Sequence, residues 1–339
     1  MKTCYIEAAG KIGYGEAASP LVGPEDVLLK VKRVGYCGSD LNTYRGLNPL
    51  VGYPRIPGHE LTAEIVETGK AVPATLRPGL LATVLPYTAC GRCSACLAGR
   101  SNACRNNQTL GVQRDGALAE YLSVPYDKII LSPKLSELEL ALVEPLSVGF
   151  HAVGRGQVTK DDTVLVFGCG MIGLGAIASA GLERGARVIA VDIDDAKLEL
   201  ARQCGAAHTV NSCRENLEAV VAELTAGEGV NVVIEAVGLP QTYTQAVGVA
   251  AFAGRIVYIG YAKAAVAYET KYFVMKELDI RGSRNATKQD FERVVAVLES
   301  GRYPSERTVT HTVPFAQAGE ALEAWSRNPA AVTKIHVTL

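Results

Sequence analysis

The stretch from Val164 to Asp192 constrains this chain most. It reads Val-Leu-Val-Phe, then Gly168-Cys-Gly170-Met171-Ile172-Gly173, then a small-residue run to Arg184, then Arg-Val-Ile-Ala-Val and Asp192. Each apolar run has the length of a buried parallel strand, and the glycines between them open a helix. Gly168 suits a tight turn, Gly170 lets backbone approach a pyrophosphate, and Gly173 lets helix and strand pack closely. The helix N-terminus that starts at Met171 and Ile172 offers unpaired N–H groups and a positive dipole end to phosphates. A lone G-x-G-x-x-G is a weak signal, but this one sits between two strands, and the second ends in an acid. Asp192 lies roughly twenty residues past the glycines, where a carboxylate accepts from an adenine-ribose 2′-hydroxyl. Asp192 and Asp194 would repel a 2′-phosphate, so NAD is expected rather than NADP.

Val164 to Leu182 carries no charge and is long enough to suggest a membrane span. Its glycines and its strand–turn–helix pattern argue against one. At 339 residues the chain can form two domains with proper cores. A net charge of −1 gives no electrostatic case for nucleic acid or an anionic membrane. No charged-then-apolar leader is visible, so a cytoplasmic location is expected.

Nine cysteines are unevenly placed, and four crowd into Cys90-x-x-Cys93-x-x-Cys96 and Cys104. Four thiolates in one loop can close a tetrahedral site with no open position, which is a structural zinc. This loop is expected to be non-helical. Elsewhere Gly35-Tyr-Cys37-Gly-Ser39-Asp40 and Pro57-Gly58-His59-Glu60 together supply thiolate, imidazole and carboxylate, a zinc-suited set. Cys37 alone would more often be a buried small residue; His59 and Glu60 give it weight. Ser136-x-x-Glu139 forms a capping box before a helix that reaches Glu144-Pro145. Glu144 is either a second carboxylate at that metal or a cap for a helix restarting at Pro145.

Met1 to about Val34, residues 61–88 and residues 117–135 have strand character. Past Asp192 the pattern stays β-α-β: a helix over Asp195–Gln203, strands at Val230–Gly238 and Arg255–Gly260. Strands alternating with helices predict a parallel, doubly wound sheet. A helix follows from about Lys288 to Ser300, and strand-like segments Val309–Val313 and Lys334–Leu339 close the chain. Cys4, His208, His311 and His336 are expected to have structural or solvated roles.

Taken in order, Gly-Tyr-Cys37-Gly-Ser-Asp, Gly58-His59-Glu60, the Cys90/Cys93/Cys96/Cys104 loop, Val-Glu144-Pro-Leu-Ser-Val and the Gly168 motif resemble the zinc-dependent medium-chain dehydrogenases, nearest the polyol (sorbitol-type) branch. The resemblance covers essentially the whole chain. It implies an α/β protein: a GroES-like β-rich catalytic domain over 1–147 and 285–339, interrupted by a Rossmann NAD-binding domain over 148–284, with substrate and zinc in the cleft between them. It implies Cys37 and His59 as catalytic zinc ligands, Glu60 as the third ligand, and Glu144 as a ligand or as an acid bonding the metal's water. Ser39 matches a hydroxyl proton relay and Tyr44 a substrate-contacting aromatic. Arg284 and Asn285 fall near positions that hold substrate oxygens in polyol relatives. The segments around Tyr44, Tyr53 and Gly282-Ser-Arg-Asn are similar to bacterial sugar-acid members. Two departures stand out: Asn42 replaces a frequent histidine, and Pro78-Gly-Leu-Leu-Ala-Thr-Val replaces the usual Pro-Gly-Asp-Arg-Val.

The expected function is therefore reversible oxidation of a secondary alcohol of a polyol or sugar acid to a ketone, with NAD, one catalytic zinc and one structural zinc. The partner is a small-molecule substrate, with no nucleic acid or membrane, and the resemblance implies a homodimer or homotetramer. A zinc-free enone reductase on the same fold would need neither the ligand set nor an acid at 192. A non-catalytic nucleotide-binding protein would not need Cys37, His59, Glu60 and Glu144 together.

Overall fold

A computed structural model describes all 339 residues. The chain forms two compact units, Met1–Glu144 with Ser305–Leu339, and Pro145–Pro304. Sequence placed the return to the first unit at 285, but helix Lys288–Glu299 belongs to the second. Its polar face explains this: Asp290 Oδ2 lies 2.8 Å from His151 Nδ1, and Arg293 Nε donates to Glu183 Oε1 at 2.7 Å. All four residues are in the second unit.

The second unit is built on a six-stranded, wholly parallel sheet. Its spatial order is His208–Asn211, Arg187–Asp192, Thr163–Phe167, Val230–Glu235, Ala250–Tyr258, Asp279–Gly282. In chain order that is 3-2-1-4-5-6, the doubly wound arrangement expected from the alternating strands and helices. Val164, Leu165, Val166, Val188, Ile189, Val232, Val233 and Ile234 are fully buried, which accounts for their unbroken apolar runs. The strand order reverses between Thr163–Phe167 and Val230–Glu235, and the glycine loop leaves the carboxyl end of the first of these. The uncharged stretch Val164–Leu182 is thus a strand, a turn and helix Met171–Ala178 running into a π-helical turn, Ser179–Glu183. No helix in the chain is long and apolar enough to cross a membrane.

The first unit holds a seven-stranded sheet, ordered His311–Pro314, Ile335–Thr338, Asp26–Tyr36, Glu60–Thr68, Leu81–Val84, Ile129–Leu131, with Tyr121–Pro125 also paired to Asp26–Tyr36. Alternate residues Val27, Leu29, Val31 and Leu61, Ala63, Ile65 point into one core. Arg33, Glu60 and Thr62 lie on the same strands and are not part of this core. Helix Glu137–Arg155 begins with the expected capping box: Ser136 N donates to Glu139 Oε2 at 2.9 Å, and Glu139 N to Ser136 Oγ at 3.3 Å. It then runs unbroken through Pro145. No second helix starts there, so Glu144 is not an N-cap; the proline simply leaves the Ala141 carbonyl without its N–H donor.

His311 is exposed, whereas His336 is fully buried and neither ring nitrogen has a partner. Burial first, then the nearby Lys334 and Arg33 charges, push its pKa down from 6.5 to about 3. The unfolded chain takes up this proton as pH falls through 6.5, while the folded chain does not until about 3. Stability supplied by the neutral imidazole is therefore lost progressively on acidification through that window, at up to about 1.4 kcal/mol per pH unit. His336→Leu is expected to flatten the dependence of the urea unfolding midpoint on pH between 6.5 and 5. An unchanged slope would show that other groups set it.

Candidate metal centre and dinucleotide loop

Cys37 caps the short helix Gly38–Tyr44, where its backbone N–H donates to Asp40 Oδ2 at 2.8 Å. His59 and Glu60 enter from the Pro57-Gly58 turn at the start of strand Glu60–Thr68. Gly58 has φ +100°, and a side chain there would meet Val34 Cγ1 at 2.6 Å, so the turn requires glycine. Gly35 stands opposite Glu60, and a Cβ on it would lie 2.3 Å from Glu60 Oε2; its absence makes room for the carboxylate. The donor atoms of Cys37, His59 and Glu60 all lie within 4.8 Å of one another. His59 is buried and its Nδ1 has no partner. Burial opposes its protonation, but the Cys37 thiol, Asp40 and Glu144 overcome this and raise its pKa well above the ordinary value. A buried imidazole ringed by acids and a thiol is a site that favours a cation, and this donor set fits zinc.

Two further groups complete the centre. Lys334, itself buried, donates to both Glu60 oxygens, at 2.7 Å to Oε1, and to the Tyr36 carbonyl at 3.0 Å. Tyr87 donates its phenol proton to Glu144 Oε1 at 2.5 Å. Burial first, then Glu60, raise the Glu144 pKa, while His59 and the Tyr87 hydrogen bond act in the opposite direction. With Glu60 paired to Lys334, one thiolate and the Glu144 carboxylate remain to balance a divalent ion. Ser39 and Tyr44 lie on helix Gly38–Tyr44; Ser39 Oγ is buried without a partner, and Tyr44 is buried. Arg284 and Asn285 belong to the second unit, after strand Asp279–Gly282, with Asn285 at φ +53°.

In the cysteine loop, Cys93 Sγ lies 3.5 Å from Cys96 Sγ and 3.8 Å from Cys104 Sγ, and Cys90 Sγ lies 3.5 Å from Cys104 Sγ. A tetrahedral zinc with bonds of about 2.3 Å sets its sulfurs about 3.8 Å apart, so the four thiols are arranged for the ion. Backbone N–H groups of Cys96 and Arg105 pull the Cys93 thiol down to about 6. One turn of helix, Ser94–Leu97, lies in this loop, contrary to the non-helical expectation. It forms because Cys93 N-caps a run whose N–H groups close back on the loop, as in Leu97 N to Cys93 O.

The three glycines have distinct roles. Gly168 adopts φ +87°. Gly173 packs so closely that a Cβ would come within 1.8 Å of the Gly168 carbonyl oxygen. Gly170 faces open space and caps the helix that starts with Met171 and Ile172. Asp192 is drawn to this loop: its carboxylate accepts from Cys169 N at 2.7 Å and Ile193 N at 2.8 Å. Asp194 instead N-caps helix Asp195–Gln203.

Residues 172–300 match the zinc-binding dehydrogenase family, and residues 23–134 match the alcohol dehydrogenase GroES-like domain. L-Galactonate-5-dehydrogenase of Escherichia coli K12 is 35% identical over 90% of this chain and 89% of its own length. The chain belongs to the zinc-type alcohol dehydrogenases. It is an oxidoreductase of the medium-chain, polyol dehydrogenase-like group. An alcohol dehydrogenase of Escherichia coli CFT073, solved with NADH, matches with a TM-score of 0.92 and 32% identity, covering 100% of this chain and 99% of that one. A zinc-binding dehydrogenase of Sinorhizobium meliloti, solved with NADP, matches with a TM-score of 0.91 and 31% identity over 100% and 99% of the two chains.

Three residues to which the sequence assigns no role reach this cluster: Asp40, Tyr87 and Lys334. Each acts on a named donor, but across long stretches of chain, and no local motif marks Tyr87 or Lys334. Asp40 is the exception, since it stands in the Cys37 motif; its carboxylate holds the Cys37 N–H. Lys334→Met is expected to leave Glu60 buried without its counter-charge and to destabilise the metal-free first unit by about 3–5 kcal/mol. The double variant with Glu60→Gln should recover much of this. Thermal unfolding of the two chelator-treated variants reads the difference, and equal midpoints would argue against the pair.

Proposed function

We propose that the chain is an NAD-dependent zinc dehydrogenase that oxidises a secondary alcohol of a polyol or sugar acid reversibly to the ketone. The observation that carries this reading is the buried convergence of Cys37, His59 and Glu60 donors, with Glu144 acting electrostatically on His59. Zinc, when bound, supplies the Lewis acidity that lowers the pKa of a hydroxyl. Cys37 and His59 would hold it with a carboxylate from Glu60 or Glu144. Ser39 Oγ accepts the hydroxyl proton and passes it to water, a route that fits Asn42 replacing a histidine. NAD, when bound, would supply the hydride acceptor that lets the carbinol carbon become a carbonyl carbon. Gly168, Gly170, Met171, Ile172 and Gly173 receive the pyrophosphate, and Asp192 accepts from the adenine-ribose 2′-hydroxyl. Tyr44, Arg284 and Asn285 contact substrate, with Arg284 suited to a carboxylate through paired hydrogen bonds.

NAD is favoured over NADP because a carboxylate at 192 repels a 2′-phosphate. The four closely spaced thiols must stay reduced to hold metal, which supports a cytoplasmic location. Self-association as a homodimer or homotetramer is supported by the free edge of strand Asp279–Gly282 and by exposed Val274, Met275 and Ile280 beside it. Light scattering is expected to give an even-numbered oligomer.

The enzymatic test is NADH formation by zinc-loaded protein against a panel of polyols and aldonic acids. Turnover is expected with members of this panel, with NAD preferred to NADP, and silence from the whole panel would overturn the substrate class. His59→Ala should abolish turnover while NADH binding, read by fluorescence, persists. Asp192→Ala should weaken NAD binding roughly 10–100-fold, in line with loss of a hydrogen bond to a charged group.

A further inference from the structure

The cysteine lobe and the Cys37–His59 centre meet at one residue. The lobe is rooted in a two-stranded ribbon, Tyr87–Thr88 against Gln108–Thr109, which brackets Cys90–Cys104. The ribbon is tightly tied: Leu110 N donates to Pro86 O at 3.1 Å, Arg114 Nη1 to Thr88 Oγ1 at 2.7 Å, and Asn107 Nδ2 to Thr109 Oγ1 at 2.8 Å. Tyr87 therefore opens the ribbon, three residues before the first lobe cysteine, Cys90. Its ring is buried and its phenol donates to Glu144 Oε1, 57 residues away, at 2.5 Å. A buried phenol has to find an acceptor, and a carboxylate so bonded has one oxygen fixed in direction. Glu144 also acts on His59 electrostatically. The path from lobe to centre is thus lobe metal, ribbon, Tyr87, Glu144.

We propose that Tyr87 is a positioning residue that fixes Glu144 at the metal centre, and that closure of the four-cysteine lobe around its ion holds Tyr87 in place. The lobe's metal then does more than stabilise a loop, since its loss releases Glu144 and disarms the neighbouring centre. This inference rests on the reading that Cys37 and His59 hold a metal, and its test separates the two.

Cobalt(II) can replace zinc throughout the full-length protein, with metal content and visible absorption as readouts. Wild type should bind two cobalt ions per chain, one with the intense thiolate bands of a four-sulfur site and one with the weaker bands of a one-thiolate site. Tyr87→Phe should keep both ions and the four-sulfur bands, shift the d–d bands of the one-thiolate site, and lower kcat roughly 10–100-fold, the range for groups that orient metal ligands. Two ions with an unchanged spectrum would overturn the positioning role. A single ion in wild type, with four-sulfur bands only, would overturn the underlying metal reading instead. For the link to the lobe, Cys96→Ser should reproduce the d–d shift at the remaining ion. Should that variant fail to fold, Arg114→Ala loosens the ribbon while leaving every cysteine and Tyr87 intact, and should give a smaller shift in the same direction. No shift in a folded lobe variant would overturn the coupling.

Discussion

Burial of negative charge is the constraint on which the first unit depends. Asp40, Glu60 and Glu144 are all less than 5% exposed and lie close to one another and to Cys37. A buried acid is tolerated only with a partner, and each has one. Asp40 accepts from the Cys37 and Gly58 backbone N–H groups, Glu60 is neutralised by Lys334, and Glu144 accepts a hydrogen bond from the Tyr87 phenol. These partners remove only part of the charge. A hydrogen bond from a neutral phenol stabilises a carboxylate without cancelling it, and the Cys37 thiol adds another acidic group. A divalent cation would complete the balance, so metal affinity and the stability of this part of the fold would be two aspects of one electrostatic requirement.

The second unit meets the opposite requirement with backbone alone. The turn at Gly168 and the open face of Gly170 leave the first N–H groups of helix Met171–Ala178 directed outward, where they favour an anion. Asp192 would oppose that anion, were it not tied down by Cys169 N and Ile193 N at one side of the loop. The carboxylate is thus held apart from the helix end, so the acid and the anion-favouring N–H groups do not conflict.

Much of this was legible in the sequence because it is local. Turn glycines, a capping box and cysteine spacing each encode their geometry within a few residues, so the Gly168 loop, the Ser136 box and the four-cysteine lobe were read directly. The alternation of strands and helices gave the parallel sheet. What could not be read depends on partners far apart in the chain. Lys334 lies 274 residues from Glu60, and Tyr87 lies 57 from Glu144. Neither has an unusual local setting: Tyr87 looks like one more aromatic in a strand, and Lys334 like a solvated residue before the last strand. Pro145 left two readings of Glu144 open for a related reason. Proline disfavours a helix interior by about 3 kcal/mol, and only the burial of Leu140–Val143 and Leu146 along the same helix outweighs that tendency.

The separation between Glu60 and Lys334 has a consequence for folding. The acids of the metal centre are all made before residue 145, but the cation that neutralises Glu60 arrives with the last six residues of the chain. Strand Ile335–Thr338 arrives with it and inserts between Asp26–Tyr36 and His311–Pro314. Until then the long strand Asp26–Tyr36 has an open edge and Glu60 an uncompensated charge beside it. The second unit, by contrast, has every strand of its sheet within Pro145–Pro304 and needs nothing from either end. The order of synthesis therefore favours completing the nucleotide-binding sheet first. The Cys37–His59–Glu60 cluster has its full set of partners only when Lys334 and strand Ile335–Thr338 have joined the sheet.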